Sequence, residues 1–366
     1  MNNTTFGFVG LGLIGGSIAR AIREKLPQSR IIAYDINKAA LAAALADGVI
    51  NIAADKIDET FAPCDYLFLC APVQKNDDNL RTIKDIVSTD CLLTDVGSVK
   101  TGIHDVIASM GLESRFIGGH PMAGSERVGY VNSKALLLEN AYYILTPTTS
   151  VPNAKLEAYR ELVTTLGAIP LVLNCKHHDY VTAAISHLPH VIASALVNLV
   201  EASDSEDGIM KMVAAGGFKD ITRIASSSAD MWQQICLTNT ENISTLLTDY
   251  INALCDIRDK LNARDGEQLH HFFDSARIYR DSFINTSSGP IKRDYAITID
   301  IADKPGALAT IATLMAKNNI SIKNIGIAHN RESEGGVLRI EFYDEATITT
   351  AKTLLTDKGY TVYERS

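Results

Sequence analysis

The segment 10–17 constrains the fold of this chain more than any other, because it reads Gly-Leu-Gly-Leu-Ile-Gly-Gly-Ser between two patterns of different period. The residues before it, Thr5–Gly10, form a short apolar run typical of a strand, and those after it follow helical spacing. Glycines 10, 12 and 15 allow a tight turn, close approach of a pyrophosphate and close packing of the helix. A helix that begins there also offers free N–H groups to a phosphate. The segment therefore predicts a dinucleotide-binding crossover.

An acidic residue follows the second predicted strand, Arg30–Tyr34. Asp35 stands twenty positions after Gly15, where a carboxylate can accept hydrogen bonds from both ribose hydroxyls of NAD. It would repel the 2′-phosphate of NADP, so the pattern predicts NAD, although Lys38 leaves some NADP use open. The predicted cofactor-binding residues are Gly10, Gly12, Leu13, Ile14, Gly15, Asp35, Ala71 and Pro72.

Strands and helices continue to alternate to about residue 174. This α/β order predicts a Rossmann-type, doubly wound parallel sheet whose ligands bind beyond the carboxyl ends of the strands. The predicted strands are Asp65–Ala71, Cys91–Val96, Ala141–Thr146 and Ile169–Leu173, and the predicted helices are Asp77–Val87 and Asn153–Leu166. Three turns, at 71–73, 97–100 and 119–126, fall at such ends, so we expect them to lie close together.

The turn at 119–126 contains one histidine, His120, among residues that favour neither helix nor strand. Glycine permits unusual backbone angles, and Pro121 biases His120 towards an extended conformation. Such a loop is suited to holding a side chain. Taken alone, the eight residues are more typical of a simple turn whose histidine bonds to the backbone, so a catalytic histidine depends on the rest of the chain.

After Asn174 the strand pattern stops and helical spacing runs from His177 to Val200, then in shorter segments to about Ile278. These residues predict an all-helical second domain whose first helix is bent at Pro189. His187 and His190 share a face of that helix, but no further ligand stands at metal-binding spacing, so we predict no metal and a structural role for His187.

The segment 216–225 reads Gly-Gly-Phe-Lys-Asp-Ile-Thr-Arg-Ile-Ala and places Lys219 and Arg223 four residues apart, on one helix face. Two cations on one face are typical of a solvated surface. They are equally suited to the basic pocket that an acidic protein needs in order to bind a carboxylate substrate.

The clearest linker is 285–290, which is polar and poor in apolar residues. Beyond it, strands and helices follow in the order βαββαβ, which predicts a ferredoxin-like unit. This unit carries no nucleophile–base pair, so we expect a role in regulation or assembly. The predicted domains are residues 1–174 for nucleotide binding, 175–284 for substrate binding and dimerisation, 285–293 as linker and 294–366 as the C-terminal unit.

The net charge of -9 argues against nucleic-acid binding, which needs clustered Lys and Arg. The six cysteines are scattered without a CxxC pair, as is usual in a reducing cytoplasm. The N-terminus lacks the pattern of a secretory signal, and no uninterrupted apolar run approaches the roughly 20 residues of a membrane span. We therefore expect a cytoplasmic protein without a membrane anchor.

Five motifs in this order resemble those of the prephenate/arogenate dehydrogenase family, in the bacterial form that carries a C-terminal ACT domain. They are GLGLIGGS with Asp35, DVGSVK at 95–100, GGHPMAGSE at 118–126, SHLPH at 186–190, and GGFKDITRIA at 216–225 followed by Trp232. The resemblance implies that prephenate and NAD⁺ give 4-hydroxyphenylpyruvate, CO₂ and NADH. DKPGALA at 303–309 and Asn324 similarly resemble the effector-binding elements of an ACT domain.

The resemblance also implies roles for individual residues. His120 would act as the general base on the ring hydroxyl, and Ser98 would hold the other side of its imidazole and contact the nicotinamide. Arg223 would bind the side-chain carboxylate. The other implied substrate-binding residues are Ser125, Glu126, Ser186, His190, Lys219 and Trp232, and the implied effector-binding residues are Gly306 and Asn324, for L-tyrosine.

Two alternatives stay open at the level of sequence. One is the same chemistry on arogenate, whose side chain bears an amino group that Glu126 or Asp220 could serve. The other is a non-catalytic regulator that senses NAD and an amino acid, although such a protein would not need Ser98, His120 and Arg223 together. The extensive apolar faces of the helical domain also predict a homodimer.

Overall fold

A computed structural model describes residues 3–124, 127–285, 295–301, 306–328 and 336–364. The chain forms two compact units, residues 1–266 and 267–366. The first unit contains the nucleotide-binding motif and the histidines at 120, 187 and 190, and the second contains the predicted effector-binding residues.

A five-stranded parallel sheet forms the centre of the first unit. Its strands are β1 (Thr5–Val9), β2 (Arg30–Tyr34), β3 (Ile52–Ala54), β4 (Tyr66–Leu69) and β5 (Leu92–Asp95), in the order β3-β2-β1-β4-β5. The helices that cover it are α1 (Leu13–Lys25), α2 (Lys38–Ala46), α3 (Val73–Ile83), α4 (Thr101–Ser109) and α5 (Asn153–Thr165). The strand order reverses between β1 and β4, which opens the crevice where such sheets bind ligands.

Both faces of this sheet are buried, which explains why its strands are continuous apolar runs. One core cluster includes Phe6, Phe8 and Phe68, with the rings of Phe8 and Phe68 stacked at 4.9 Å between centroids. A second cluster on the opposite face includes Leu67 and Leu93. Strands β1, β2, β4 and β5 lie within the predicted segments, and the three-residue strand β3 was not predicted. Helix α3 begins at Val73, four residues earlier than predicted, with Pro72 as its N-cap.

The strand that carries His120 departs from the prediction of a loop. Residues Ile117–Pro121 form β6, which pairs antiparallel with β7 (Tyr142–Pro147), and β7 pairs in parallel with β8 (Ile169–Val172). A bridge between Leu93 and Phe116 connects β6 to the edge of the parallel sheet. His120 therefore lies on a paired strand that runs in the same direction as β5.

The two glycines before His120 are required by close packing and not by unusual backbone angles. A Cβ on Gly119 would lie 2.8 Å from the carbonyl oxygen of Asp95 and 2.9 Å from the Tyr143 ring, and one on Gly118 would overlap the Thr146 hydroxyl. Neither glycine has a positive φ. The prediction of a loop was wrong because it read these glycines as flexible, whereas they allow β6 to pack directly on β5.

The rest of the first unit is helical, as predicted. Its helices are α6 (Cys175–Thr182), α7 (Leu188–Ser203), α8 (Ile209–Val213), α9 (Gly216–Thr222), α10 (Ala229–Thr238) and α11 (Thr240–Ala263). The 24 residues of α11 make it longer than the short segments predicted for this region. By length and mean hydropathy, the stretch Cys175–Ser203 also reaches the range of a membrane-spanning helix, a range that the core helix of a soluble protein reaches as well.

A π-helical turn, Ala183–His187, joins α6 to α7 without a break in the helix. Pro189 lies in the first turn of α7, so its missing N–H falls next to the wide π turn. The predicted effect of Pro189 is therefore seen as a change of helix type. Turns of this kind are frequent at functional sites.

The second unit contains α12 (Gly266–Asn285) and a four-stranded antiparallel sheet with two helices. The elements are β9 (Ala296–Ile301), α13 (Ala307–Lys317), β10 (Asn324–Ala328), β11 (Gly336–Glu341), α14 (Glu345–Asp357) and β12 (Val362–Glu364), with the sheet order β10-β11-β9-β12. This is the predicted βαββαβ order. Most of the predicted linker, and residues 303–305 of the DKPGALA motif, lie outside the described residues.

Candidate active site

The glycine-rich loop closes tightly between β1 and α1. Gly10 has a φ of +97°, and a Cβ there would lie 2.7 Å from the backbone of Cys70 and Ala71. A Cβ on Gly15 would lie 2.7 Å from the carbonyl oxygen of Gly10, whereas Gly12, the N-cap of α1, faces open space. No side chain caps the helix, so its first N–H groups fit a pyrophosphate. Leu13 and Ile14 form that first turn and are half-buried.

Asp35 lies beside this loop, at the end of β2. Its carboxylate accepts hydrogen bonds from the backbone N–H of Leu11 at 2.6 Å and of Asn37 at 2.7 Å. Lys38 is directed towards Asp55, with its Nζ 3.1 Å from the Asp55 carbonyl oxygen. The charged group next to the glycine loop is therefore the Asp35 carboxylate. It can accept the hydrogen bond of a ribose 2′-hydroxyl.

The third part of the crevice follows β4 and includes a residue that the sequence did not indicate. Ala71 and Pro72 lead into α3, and Asn76 Nδ2 donates to the carbonyl oxygen of Ala71 at 3.1 Å. The Asn76 side chain is buried, and its Oδ1 has no hydrogen-bond partner among the described residues. This leaves a buried acceptor behind the turn at Pro72.

At the end of β5, a buried ion pair precedes α4. Lys100 Nζ lies 2.5 Å from Asp95 Oδ2, and both side chains are buried. Burial lowers the pKa of Lys100, although its pairing with Asp95 opposes this. Ser98 stands between Asp95 and Lys100 in the sequence and is half-buried. The backbone N–H of Lys100 also donates a hydrogen bond to Asp179 Oδ1, at 2.7 Å.

A chain of hydrogen bonds leads inward from His120. Its Nδ1 lies 2.8 Å from His178 Nε2, and His178 Nδ1 lies 2.8 Å from Asp179 Oδ1. His178 therefore bonds to Nδ1 of the His120 imidazole, the position that Ser98 was expected to hold. The expectation for Ser98 is wrong. The reason is that α6, which carries both His178 and Asp179, packs against β7, the strand paired with β6.

The electrostatic surroundings keep both histidines neutral. Burial, together with neighbouring His178 and Lys100, holds the pKa of His120 well below its ordinary value. Burial also lowers the pKa of His178, although the hydrogen bond to Asp179 opposes it. Burial raises the pKa of Asp179, but hydrogen bonds from His178 and Thr101 outweigh it and leave that pKa below its ordinary value. Asp179 is therefore the anion of the group.

Asn239 connects this chain to a second pair of rings. Its Nδ2 donates to the carbonyl oxygen of Asp179 at 2.8 Å and lies 3.2 Å from His187 Nδ1. Burial lowers the pKa of His187 to about 4. Because Asn239 donates to Nδ1, the neutral His187 carries its hydrogen on Nε2, which has no partner among the described residues. The predicted structural histidine is thus satisfied on one side only.

His190 and Trp232 form the outer part of the same cluster. Their rings stack at 3.7 Å between centroids, and the Trp232 ring stands edge-on to His187 at 5.9 Å. His190 Nδ1 donates to the carbonyl oxygen of Ser186 at 2.9 Å. Trp232 Nε1 is buried without a partner among the described residues, so it is a second donor available to a ligand.

The chain has the sequence and fold of a known enzyme family. Residues 18–171 match the model of the prephenate dehydrogenase nucleotide-binding domain, and residues 174–275 match that of the prephenate dehydrogenase dimerization domain. A prephenate dehydrogenase of Bacillus subtilis is 39% identical over 92% of this chain and 91% of its own. The chain belongs to the prephenate dehydrogenase family.

Two solved structures share the fold. That of the Aquifex aeolicus prephenate dehydrogenase in complex with hydroxyphenyl propionate and NAD⁺ has a TM-score of 0.73 and 31% identity, and covers 77% of this chain and 99% of its own. That of the Synechocystis arogenate dehydrogenase has a TM-score of 0.69 and 27% identity, and covers 76% and 100%. The predicted family, doubly wound sheet and helical second domain are confirmed.

The remaining predicted residues differ in where they lie. His120, His187, His190 and Trp232 come together in one cluster of this prephenate dehydrogenase family member, with Ser186 at its edge. Lys219 and Arg223 are exposed, on α9 and on the following 3₁₀ turn, Arg223–Ser226, which packs against α7. Ser125 and Glu126 lie outside the described residues. Among the described residues, no three His, Cys, Asp or Glu side chains form a group that could hold a metal ion.

Proposed function

We propose that this protein catalyses the NAD-dependent oxidative decarboxylation of prephenate to 4-hydroxyphenylpyruvate and CO₂, in the synthesis of L-tyrosine. The observation that carries the proposal is a neutral imidazole, that of His120, at the carboxyl edge of a nucleotide-binding sheet. A base there can reach a substrate beside the cofactor, because ligands of such sheets lie at that edge.

The crevice fits NAD. Bound NAD⁺ would accept a hydride from the substrate. The glycine loop and the first turn of α1 would hold the pyrophosphate, and Asp35 would accept hydrogen bonds from the adenosine ribose. Lys38 is directed to Asp55 and away from this role, which supports a preference for NAD over NADP. The turns after β4 and β5, with Pro72 and Ser98, would border the nicotinamide.

His120 would act on the ring hydroxyl. As the hydride leaves the carbon that bears this group, the hydroxyl becomes more acidic and shifts its hydrogen towards the imidazole. When the ring carboxylate leaves as CO₂, its electron pair completes the aromatic ring and the hydrogen returns to the oxygen. The histidine ends the reaction neutral, and the product is a phenol.

The two carboxylates of prephenate need counter-charge in a protein whose net charge is -9. We assign the side-chain carboxylate to Arg223 and Lys219, which lie on neighbouring segments next to α7. The donors His187 Nε2 and Trp232 Nε1, which have no hydrogen-bond partner within the described part of the chain, would line the inner wall with Ser186 and His190. Ser125 and Glu126 follow His120 in the sequence and would border the same pocket.

Arogenate is the nearest alternative substrate, and a solved relative is an arogenate dehydrogenase. The test is to follow NADH formation at 340 nm with prephenate and arogenate in separate assays. We expect a much larger kcat/KM with prephenate. A larger value with arogenate would reassign the substrate, and no NADH with either would favour the NAD-sensing regulator.

We also propose that the C-terminal unit is an ACT domain that binds L-tyrosine, within the four domains 1–174, 175–284, 285–293 and 294–366. Gly306 has a φ of +88° at the start of α13, and Asn324 begins β10. Titration calorimetry should detect L-tyrosine binding that Gly306→Ala and Asn324→Ala weaken. If activity is unaffected by tyrosine and no heat is detected, the unit serves assembly alone.

We further propose a cytoplasmic homodimer formed through the helical domain. The dimerization-domain match covers 174–275, and large apolar side chains are exposed on α7, α8 and α10. They include Leu199, Met212, Val213 and Leu237. Sedimentation should give twice the 39.7 kDa of one chain, and a monomer at micromolar concentration would contradict this proposal.

A further inference from the structure

The hydrogen bonds behind His120 determine which of its nitrogens can act as a base. A neutral imidazole has one N–H and one lone pair, and its partner decides which nitrogen carries the hydrogen. Asp179 is at the inner end of this chain, and its carboxylate accepts hydrogen bonds from the backbone N–H of Lys100 and of Thr101, each at 2.7 Å. These groups begin α4, so the helix dipole also stabilises the negative charge.

From this anion the tautomers follow one after another. An ionised carboxylate can only accept, so His178 Nδ1 carries a hydrogen and donates to Asp179 at 2.8 Å. His178 is buried and neutral, so its Nε2 holds the lone pair. The atom 2.8 Å away, His120 Nδ1, must then be the donor. The remaining nitrogen of His120, Nε2, is left with a lone pair.

We propose that His178 and Asp179 are positioning residues that hold His120 in the one neutral tautomer whose Nε2 can accept the hydrogen of the substrate hydroxyl. This inference rests on the proposed function, in which His120 is the base. It also explains a buried carboxylate that the cofactor and substrate sites do not otherwise use. As the hydroxyl shifts its hydrogen to Nε2, the positive charge that develops on His120 is stabilised through His178 by Asp179.

A substitution series at His178 tests the proposal in the full-length protein. His178→Leu removes the acceptor and should lower kcat by about 10²- to 10⁴-fold, with the Kd for NAD unchanged. His178→Gln keeps an amide oxygen for His120 Nδ1 and an amide N–H for Asp179, so it should recover at least about tenfold of that loss. Asp179→Asn should fall between the two.

The matched control is His104, a half-buried histidine on α4 whose Nε2 lies 2.9 Å from the Thr146 hydroxyl. His104→Leu makes the same exchange outside the chain of hydrogen bonds and should leave kcat within about threefold. If His178→Leu also stays within about threefold, or weakens NAD binding in place of kcat, the proposal is wrong.

A spectroscopic measurement on the unsubstituted protein decides the same question, even if the Leu variant does not fold. With ¹⁵N-labelled histidine, the His120 resonances should show a protonated Nδ1 and an unprotonated Nε2. The opposite tautomer would overturn the proposal. If prephenate is not oxidised but the tautomer is as expected, the proposed function fails while the positioning by His178 and Asp179 stands.

Discussion

The nucleotide crevice and the histidine cluster lie at the carboxyl edge of the same sheet region, but they are built differently. The crevice consists mainly of backbone, with Gly10 and Gly15 at its tightest contacts and one side chain, Asp35, beside them. The cluster consists of side chains that come from β6, α6, the π turn, α7 and α10. The crevice requires residues without side chains at its closest contacts, whereas the cluster requires particular side chains to lie in contact.

This difference separates the expected consequences of substitution. Changes in the crevice should alter cofactor affinity and leave the chemical step intact, because the glycines and Asp35 contact no reacting atom. Changes in the cluster should alter the chemical step or the binding of substrate. Three of the four measurements below test this separation, and one tests how the cluster affects stability; they begin with the largest expected effect.

His120→Asn should lower kcat by about 10²- to 10⁴-fold, because the variant lacks the imidazole that accepts the hydroxyl hydrogen. The Kd for NAD, measured by fluorescence titration, should stay within about twofold because the crevice is untouched. Near-normal turnover in this variant would contradict the proposed base.

Arg223→Ala should raise the KM for prephenate by about 10- to 150-fold, since a charge-assisted hydrogen bond is typically worth 1.5–3 kcal/mol. Steady-state kinetics should show a much smaller change in kcat. Lys211→Ala, on the exposed helix α8, is the control and should change neither constant. A defect confined to kcat would assign Arg223 to the chemical step.

The cluster should also make the fold sensitive to acid, through His187. Its pKa is about 4 in the folded protein and near 6.5 in the unfolded chain, so only the unfolded chain binds a proton between these values. The free energy of unfolding should therefore fall as pH decreases from 6.5 towards 4, and this group should add no further loss below that window.

Urea unfolding at pH 7 and pH 4.5 measures this loss. His187→Gln should reduce the difference between the two pH values by about 2 kcal/mol, because the variant removes one of the buried neutral imidazoles. An equal difference in both proteins would show that His187 does not titrate in this way.

The smallest effect is expected in the crevice. Asp35→Asn should raise the Kd for NAD by about tenfold, because the hydrogen bonds to the ribose lose their charged acceptor. The ratio of the Kd for NADP to the Kd for NAD should become smaller, because the amide no longer repels a 2′-phosphate. At saturating NAD, kcat should be unchanged. Asp55→Asn, which changes the surface partner of Lys38, serves as the control. A large loss of kcat in Asp35→Asn would remove the separation between the two sites.

The sequence was sufficient to predict the glycine loop and Asp35 because these determinants lie close together in the chain. Gly10, Gly15 and Asp35 lie within 26 residues, and each has a local reason for its identity. The family resemblance then supplied His120, His190 and Trp232. The strand identity of β6 could not be read, since Gly118 and Gly119 are explained by the side chains and backbone of Asp95, Tyr143 and Thr146, which are distant in sequence.

His178 and Asp179 were missed for a related reason. The dipeptide is an imidazole beside a carboxylate, four residues after the N-cap Asn174, which is a usable local signal. The role of this pair depends on the contact with His120, 58 residues earlier, and no periodic pattern in the sequence indicates that contact. Asn76 was missed for a similar reason, because the lack of a partner for its Oδ1 among the described residues becomes visible only when the surrounding polar atoms have been paired.

The π turn makes the number of residues between α6 and α7 important for the position of the cluster side chains. Successive residues of an α-helix are turned by roughly 100°, so the twelve positions from His178 to His190 would leave these side chains roughly 120° apart in an unbroken α-helix. The extra residue of the turn absorbs about one such step, which brings them to nearly the same face. A residue inserted into 183–187 would therefore rotate α7 against α6 by roughly 100° and separate the two histidines, with every side chain of the cluster still present.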